Sequence, residues 1–190
     1  MPRDKGIFWV PLIALYTGAR SGEIIQLYVD DIKEKQDVLY FTLNLEGEDK
    51  RLKTSGSERL TPVHPDLVEM GLLKHVEARR TQGELRLFPE MSMGADGYYS
   101  SPYPKHYGRF LESINVKKKG KNSFHSFRHN FEDACRDSGI SKGVMDALQG
   151  HREDGMSGRY GRGYRLQKLE EMRRLHYRDL DLEHLMVEVC

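Results

Sequence analysis

The chain has 190 residues, the size of one domain, and 38% of them are hydrophobic, enough to bury a core. Charged residues make up 31% but the formal net charge is only +1, so total charge alone does not mark a nucleic-acid binder. Cys135 and Cys190 lack zinc-finger or disulfide-framework spacing, no apolar run approaches bilayer length, and the first residues lack signal-peptide character. Together these point to a reducing, cytoplasmic setting with no membrane partner.

Residues 7–15 are apolar and predict a short buried helix, with Pro11 in its first turn or at a kink. Gly18 ends that segment. Ser21-Gly22-Glu23 then opens a second helix over residues 23–27, with Ser21 as a candidate N-cap. Residues 38–45 are rich in β-branched and aromatic side chains and read as a strand. Residues 51–53 and 58–63 read as two more, joined by a turn at Thr54-Ser55-Gly56-Ser57. The early part is therefore helices followed by a small antiparallel sheet.

Beyond Pro65 the pattern is helical. Residues 66–80 place Leu67, Met70, Leu73 and Val76 near one face, and a Gly/Ser/Tyr-rich loop covers 91–101. Further helices are expected over 105–114, 126–138 and 141–149, the last two separated by Gly139 and the latter stopped by Gly150. A glycine-rich stretch, 155–163, carries Tyr160. A last helix over 166–176 and an acidic, apolar tail over 180–189 complete the chain.

The charges are segregated. Between residues 101 and 128 stand Lys105, Arg109, Lys117, Lys118, Lys119, Lys121 and Arg128, opposed by Glu112 alone. Between residues 29 and 50 the balance reverses, with acids outnumbering lysines. The basic block runs into His125-Ser126-Phe127-Arg128.

Five short stretches carry candidate chemistry. Arg20, at a glycine-containing junction, offers a planar fork for phosphate, and Glu23 three residues on either orients it or serves the helix dipole. His125 and Arg128 share one helix face at i, i+3, with Phe124 and Phe127 as anchors; His129 falls on a different face. His151 follows a helix end, where it can meet either a phosphate or the helix dipole. Lys53 beside a hairpin turn is either a solubilising edge charge or a proton donor. Tyr160 and Tyr164 compete as nucleophile, each with an aromatic packing role as its alternative. A phenol with pKa near ~10 needs surrounding cations to attack at neutral pH. The spacing lacks a metal-binding motif, and fixed cations can supply the charge that a metal supplies elsewhere.

Taken together, these stretches resemble the catalytic domain of tyrosine recombinases, specifically phage-type integrases. Thr17-Gly18-Ala19-Arg20-Ser21-Gly22-Glu23 is similar to the family's first arginine box. Lys53 and the residues through Pro65 resemble its β-hairpin lysine and following strand. His125-Ser126-Phe127-Arg128 resembles its His-x-x-Arg box, and Leu148-Gln149-Gly150-His151 its second histidine box. Tyr160 falls at the family's usual distance beyond that box, which favours it over Tyr164.

The resemblance implies an α+β, mainly α, fold: a helical catalytic domain with a small three-stranded antiparallel sheet. It implies site-specific cleavage and rejoining of double-stranded DNA through a 3′-phosphotyrosyl link, without metal, ATP or other cofactor. In those terms Tyr160 attacks, Arg20 and Arg128 clamp the non-bridging oxygens, Lys53 protonates the 5′ leaving oxygen, and His125 and His151 assist. Glu23 supports. Lys105, Arg109, Lys117, Lys118, Lys119 and Lys121 are candidate DNA contacts. The catalytic domain is expected over 1–178, with a tail over 179–190 that docks in cis or in trans. Family members carry an N-terminal core-binding domain that closes a clamp on DNA, and tetramers form on DNA. Arg20 lies so near the start of this sequence that a catalytic fragment without the clamp is expected, with weakened DNA affinity and slow or absent recombination. A non-catalytic DNA-binding remnant and a type IB topoisomerase are the competing expectations.

Overall fold

The computed structural model describes residues 3–52, 57–118, 120–151 and 170–187. The first apolar run forms α1 (Gly6–Thr17), and ten of its twelve residues are buried. A helix apolar on every side must be central, and α1 packs against α2 (Ser21–Ile25), α3 (Pro65–Glu69) and α6 (Ser126–Asp137). Because α1 starts at Gly6, Pro11 falls beyond its first turn. The helix runs on to Thr17 without the one ladder hydrogen bond that Pro11 cannot donate.

Ser21 does not cap α2. Arg20 holds the N-cap position in an extended conformation, and its backbone N–H donates to Glu23 Oε2 at 3.0 Å. The acid inside the helix supplies the cap, as in one half of a capping box.

The sheet is three-stranded and antiparallel, in the order β1-β2-β3, but one of its strands is not the expected one. β1 (Ile32–Lys35) pairs with β2 (Val38–Leu43), Ile32 facing Phe41, and β2 pairs with β3 (Arg59–Pro62), Tyr40 facing Pro62. Gln36 and Asp37, both with positive φ, make the tight turn between β1 and β2. β1 reads Ile-Lys-Glu-Lys and exposes three of its four residues, so it lacks an apolar signature; charge on an edge strand also discourages unwanted pairing. Arg51 and Leu52, expected as strand, are not. The Arg51 N–H instead donates to the Gln26 side chain at 2.8 Å. Pro62 is tolerated because β3 is an edge.

The helix predicted over 66–80 is two helices, α3 and α4 (Leu72–Thr81), broken at Gly71, whose φ is 95°. Leu72 takes the buried position rather than Leu73, which restores one apolar face across the break with Leu67, Met70 and Val76. α5 (Tyr103–Ser113), α6 and α7 (Lys142–Gln149) follow the predicted order closely, and Ser141 caps α7 through the Val144 N–H. Of the expected helix over 166–176, residues 170–174 form a 3-10 turn; the glycine-rich stretch lies outside the described residues.

Two acids of the acid-rich stretch are paired with cations. Buried Lys50 Nζ contacts both carboxylate oxygens of Asp31, at 2.8 and 2.6 Å, and Asn44 Oδ1 at 2.8 Å. Asp49 pairs with Arg86 and accepts from Tyr28 Oη at 2.6 Å. Past the 3-10 turn, Tyr177 Oη donates to the Leu15 carbonyl at 2.6 Å, and the Val187 N–H donates to the Glu69 carbonyl at 2.9 Å. Leu182, Leu185 and Met186 pack on the core in between, so this part of the tail lies on its own domain.

Candidate functional site

Two left-handed turns bring the site together. Gly18, φ 62°, ends α1 and turns the chain toward Arg20. A Cβ there would stand 2.5 Å from Phe131 Cδ1 on α6, so the turn requires glycine for space as well as for conformation. Gly150, φ 67°, ends α7 and turns it into His151, whose N–H donates back to the Asp146 carbonyl at 2.8 Å. A Cβ on Gly150 would meet Arg59 Nη1 at 3.0 Å.

Arg128 sits in the first turn of α6 and is 5% exposed. Its Nη1 donates to the Gly18 carbonyl at 2.8 Å, and its Nη2 to the Gln149 carbonyl at 2.8 Å. The same Nη2 lies 2.7 Å from His151 Nε2. Arginine can only donate, so His151 Nε2 is the acceptor and its proton sits on Nδ1, 3.6 Å from the Asp146 carboxylate. Burial, together with repulsion from Arg20 and Arg59, pulls Arg128 down to about 10, still a full cation at neutral pH.

Glu23 is the anionic pin of the site. It is 3% exposed, and its carboxylate accepts from Arg20 Nη1 at 3.0 Å and from Arg59 Nη2 at 2.7 Å. Burial pushes its carboxyl upward. Attraction and a hydrogen bond from Arg59, with the Arg20 backbone and charge, outweigh that and hold it below the usual Glu range. Orientation of Arg20 by Glu23 was one of two sequence readings, and the contact is present.

Arg20, His125 and Arg128 line one groove of about 310 Å³, with Ser21, Ser100, Ser123, Pro104 and Phe124 completing its walls. Phe124 anchors this end of α6 through edge-on contacts with Tyr103 and Tyr107. His125 stands at the N-cap position without a capping hydrogen bond from its side chain. Partial burial, then His129, Arg128 and Arg20, lower its pKa, so the ring is neutral at neutral pH. His129 is not remote from it: the two rings meet edge to face at 4.9 Å, as i, i+4 neighbours on a helix do.

Lys105 and Arg109 are exposed on α5, and Lys117, Lys118 and Lys121 on the loop after it. That loop is held by Asn122, which accepts from the Lys118 N–H and donates to the Val116 carbonyl, both at 2.7 Å. Pro104 on α5 and Ser123 at the loop's end border the groove, so the basic block adjoins it. Lys53, Lys119, Tyr160 and Tyr164 lie outside the described residues.

Sequence reasoning missed Arg59. It is 6% exposed at its side chain and spends its donors on Glu23, on the Leu148 carbonyl at 2.6 Å and on the Ser57 carbonyl at 2.8 Å. Alternation carried no signal for it: burial along β3 does not alternate, Thr61 and Pro62 both being buried, and Leu60 and Pro62 are the apolar residues of the strand.

The arrangement is a cationic cradle with imidazoles beside it, suited to holding an anion with tetrahedral or trigonal-bipyramidal oxygens. Among the described residues no helix is long and apolar enough to cross a membrane. No curated protein matches the sequence. Among solved structures, the chain is similar to an integrase from mycobacterium phage Brujita, at 17% identity and a TM-score of 0.56. It is also similar to the XerH site-specific recombinase, solved bound to its difH substrate as a pre-cleavage complex, at 19% identity and a TM-score of 0.50. The aligned regions cover 94% and 89% of this chain but only 56% and 42% of those proteins, so the chain spans about half their length. At such identities the likeness is one of fold. The phage integrase family model matches residues 3–166. The chain therefore belongs to the phage integrase family, the tyrosine recombinases, and its fold is that of their catalytic domains.

Proposed function

We propose that this chain carries the strand-transfer chemistry of a site-specific DNA recombinase, with Tyr160 as nucleophile. The observation that carries the reading is the meeting of Arg20, His125 and Arg128 at one groove, with His151 hydrogen-bonded to Arg128. Arg20 and Arg128 bind the non-bridging oxygens of a DNA phosphodiester and offset the charge that develops on phosphorus. The Tyr160 oxygen bonds to phosphorus, its proton passing to a neighbouring base. The bond from phosphorus to the 5′ oxygen breaks, and Lys53 supplies the proton that oxygen takes. The product is a 3′-phosphotyrosyl link and a free 5′-hydroxyl, and attack by a 5′-hydroxyl from a partner duplex reverses the step. The link conserves the bond energy, so neither ATP nor metal is needed. The three guanidiniums of Arg20, Arg59 and Arg128 around the single carboxylate of Glu23 favour an anion over a divalent cation at this centre.

Double-stranded DNA is the partner in this reading, contacted through Lys105, Arg109, Lys117, Lys118, Lys119 and Lys121, and XerH offers the parallel of a related fold solved on DNA. Assembly into a tetramer on paired sites, and an origin in a phage or mobile element with action in the cytoplasm, belong to the same proposal.

The test uses a pool of nicked duplexes with randomised sequence, incubated with the protein in EDTA. Loss of the short nicked fragment traps the covalent link, and adducts are recovered by denaturing gel and sequenced. Adducts from the native chain and from Tyr164→Phe, but none from Tyr160→Phe, are expected. Retained DNA binding with no adduct from the native chain identifies a binder instead, and an adduct surviving Tyr160→Phe overturns the assignment.

A further inference from the structure

We propose that Arg59 is a positioning residue of the strand-transfer site, holding the Arg20 and His151 segments in register around one phosphate. The proposal rests on the function proposed above. Every nitrogen of Arg59 is already engaged with the protein: Nη2 is bound to Glu23, Nε to the Leu148 carbonyl and Nη1 to the Ser57 carbonyl. Each partner belongs to a different segment of the site. Glu23 orients Arg20 and caps α2. Leu148 lies in the last turn of α7, two residues before the left-handed turn at Gly150 that delivers His151. Ser57 begins the return from the segment that carries Lys53 toward β3.

The fit is close enough to constrain the glycine turn itself. The guanidinium lies over Gly150, where an added Cβ would stand 3.0 Å from Nη1 and 3.4 Å from Cζ. Gly150 is favoured by its φ of 67°, and a Cβ there would press the Arg59 guanidinium aside by a few tenths of an ångström. A lysine at position 59 cannot reproduce this. It keeps the charge but is a single point, whereas three acceptors in three directions need a planar fork. The Glu23 carboxylate does not make the link by itself, because its hydrogen bonds among the described residues run to Arg20 and Arg59.

Arg59 also acts on the site through its charge. It is one of the cations that repel Arg128, and the chief cation that holds Glu23 ionised. Charge and fork make different forecasts. If charge alone mattered, Arg59→Lys would restore function. If the fork matters, Arg59→Lys and Arg59→Met fail alike at the chemical step, because displacement of a reacting group by about 1 Å can cost about 100-fold in rate.

The experiment follows single-turnover formation of the phosphotyrosyl adduct on a nicked duplex recovered with the native chain. It compares native protein, Arg59→Lys, Arg59→Met, Arg20→Ala and the double variant Arg20→Ala/Arg59→Met. DNA affinity is measured in parallel by fluorescence anisotropy, and the folded fraction by urea unfolding. Expected are a loss of roughly 10- to 100-fold in cleavage rate for Arg59→Lys at saturating DNA, with DNA affinity changed by less than about 3-fold. The double variant is expected to cleave no more than about 3-fold slower than Arg20→Ala alone, because much of the Arg59 effect passes through Arg20. A merely structural role would lower the folded fraction and multiply the two losses instead. Arg59→Lys cleaving at the native rate, or fully multiplicative losses, overturns the positioning role and leaves the proposed function standing. Absence of any adduct from the native chain removes the proposed function, and the role of Arg59 falls with it. Should Arg59→Met fail to fold, the comparison of Arg59→Lys with native protein decides alone.

Discussion

Replacing Gly18 with alanine separates the two demands that the first turn of the site makes on its sequence. The left-handed conformation at φ 62° costs a residue with a Cβ about 1–2 kcal/mol. The new Cβ would also stand 2.5 Å from Cδ1 of Phe131, a side chain with no exposed surface, and 3.1 Å from Gln149 Nε2. Overpacking of that kind costs about 1–3 kcal/mol. The sum, about 2–5 kcal/mol, is a large part of the ~5–15 kcal/mol that holds a domain of this kind. Gly139→Ala is the control: it has a φ of 67° but nothing within 4 Å of its added Cβ, so it meets only the conformational cost. Urea unfolding of both variants at pH 7, with unchanged dependence on denaturant, measures the two costs separately. Gly18→Ala should be the less stable of the pair by at least about 1 kcal/mol. Equal losses would refute the account, because they would show that Phe131 moves aside without cost and that only the backbone demands glycine.

Two further outcomes follow from the charges. Glu23→Gln leaves two arginines without their shared carboxylate and should cost about 3 kcal/mol at neutral pH, since removing one member of a buried pair exposes the other's desolvation. The folded carboxyl lies below its ordinary value of 4.5, so its stabilisation is complete above that pH and is lost as pH falls through the folded value. The gap in urea midpoints between native protein and Glu23→Gln should therefore narrow from pH 7 toward pH 3, and a gap that widens would be inconsistent with a depressed Glu23. On DNA, changing Lys117, Lys118 and Lys121 together to glutamine should flatten the salt dependence of binding. The slope of log affinity against log salt should fall by about 0.9 for each phosphate that is no longer neutralised. An unchanged slope in an anisotropy titration from low to moderate salt would place the DNA elsewhere.

Much of the site was legible because its residues are tied to local grammar. Gly18 and Gly150 end apolar helices where glycine is expected, so Arg20 and His151 could be placed just beyond them. His125 and Arg128 are three apart at a helix start flanked by phenylalanines, which told their common face. Elements without local grammar were read differently. β1 holds one apolar residue among four, and its strand identity comes from pairing with β2. The break at Gly71 was hidden because Leu72 takes over the buried face. Arg59 was overlooked because its partners lie 36 and 89 residues away, and only the closed tertiary structure brings them together. The acid-rich stretch shows in sequence only as an excess of acids over lysines. In space Asp31 turns inward to Lys50, a pairing that composition does not disclose.

Two of the three cations at the centre, Arg128 and Arg59, are held chiefly by main chain. Gly18 and Gln149 contribute carbonyls to Arg128, and Leu148 and Ser57 contribute carbonyls to Arg59. A carbonyl acceptor survives a change of its own side chain, and it does not titrate. Substitution at Leu148 or Gln149 can thus alter packing without deleting the acceptor that fixes an arginine. Drift at these positions is limited by the path of the backbone, and the two left-handed glycines set that path. The centre is in this sense written into the course of the chain more than into the identity of its neighbours, and Glu23 is the exception: a single nucleotide change there can remove an anchor outright.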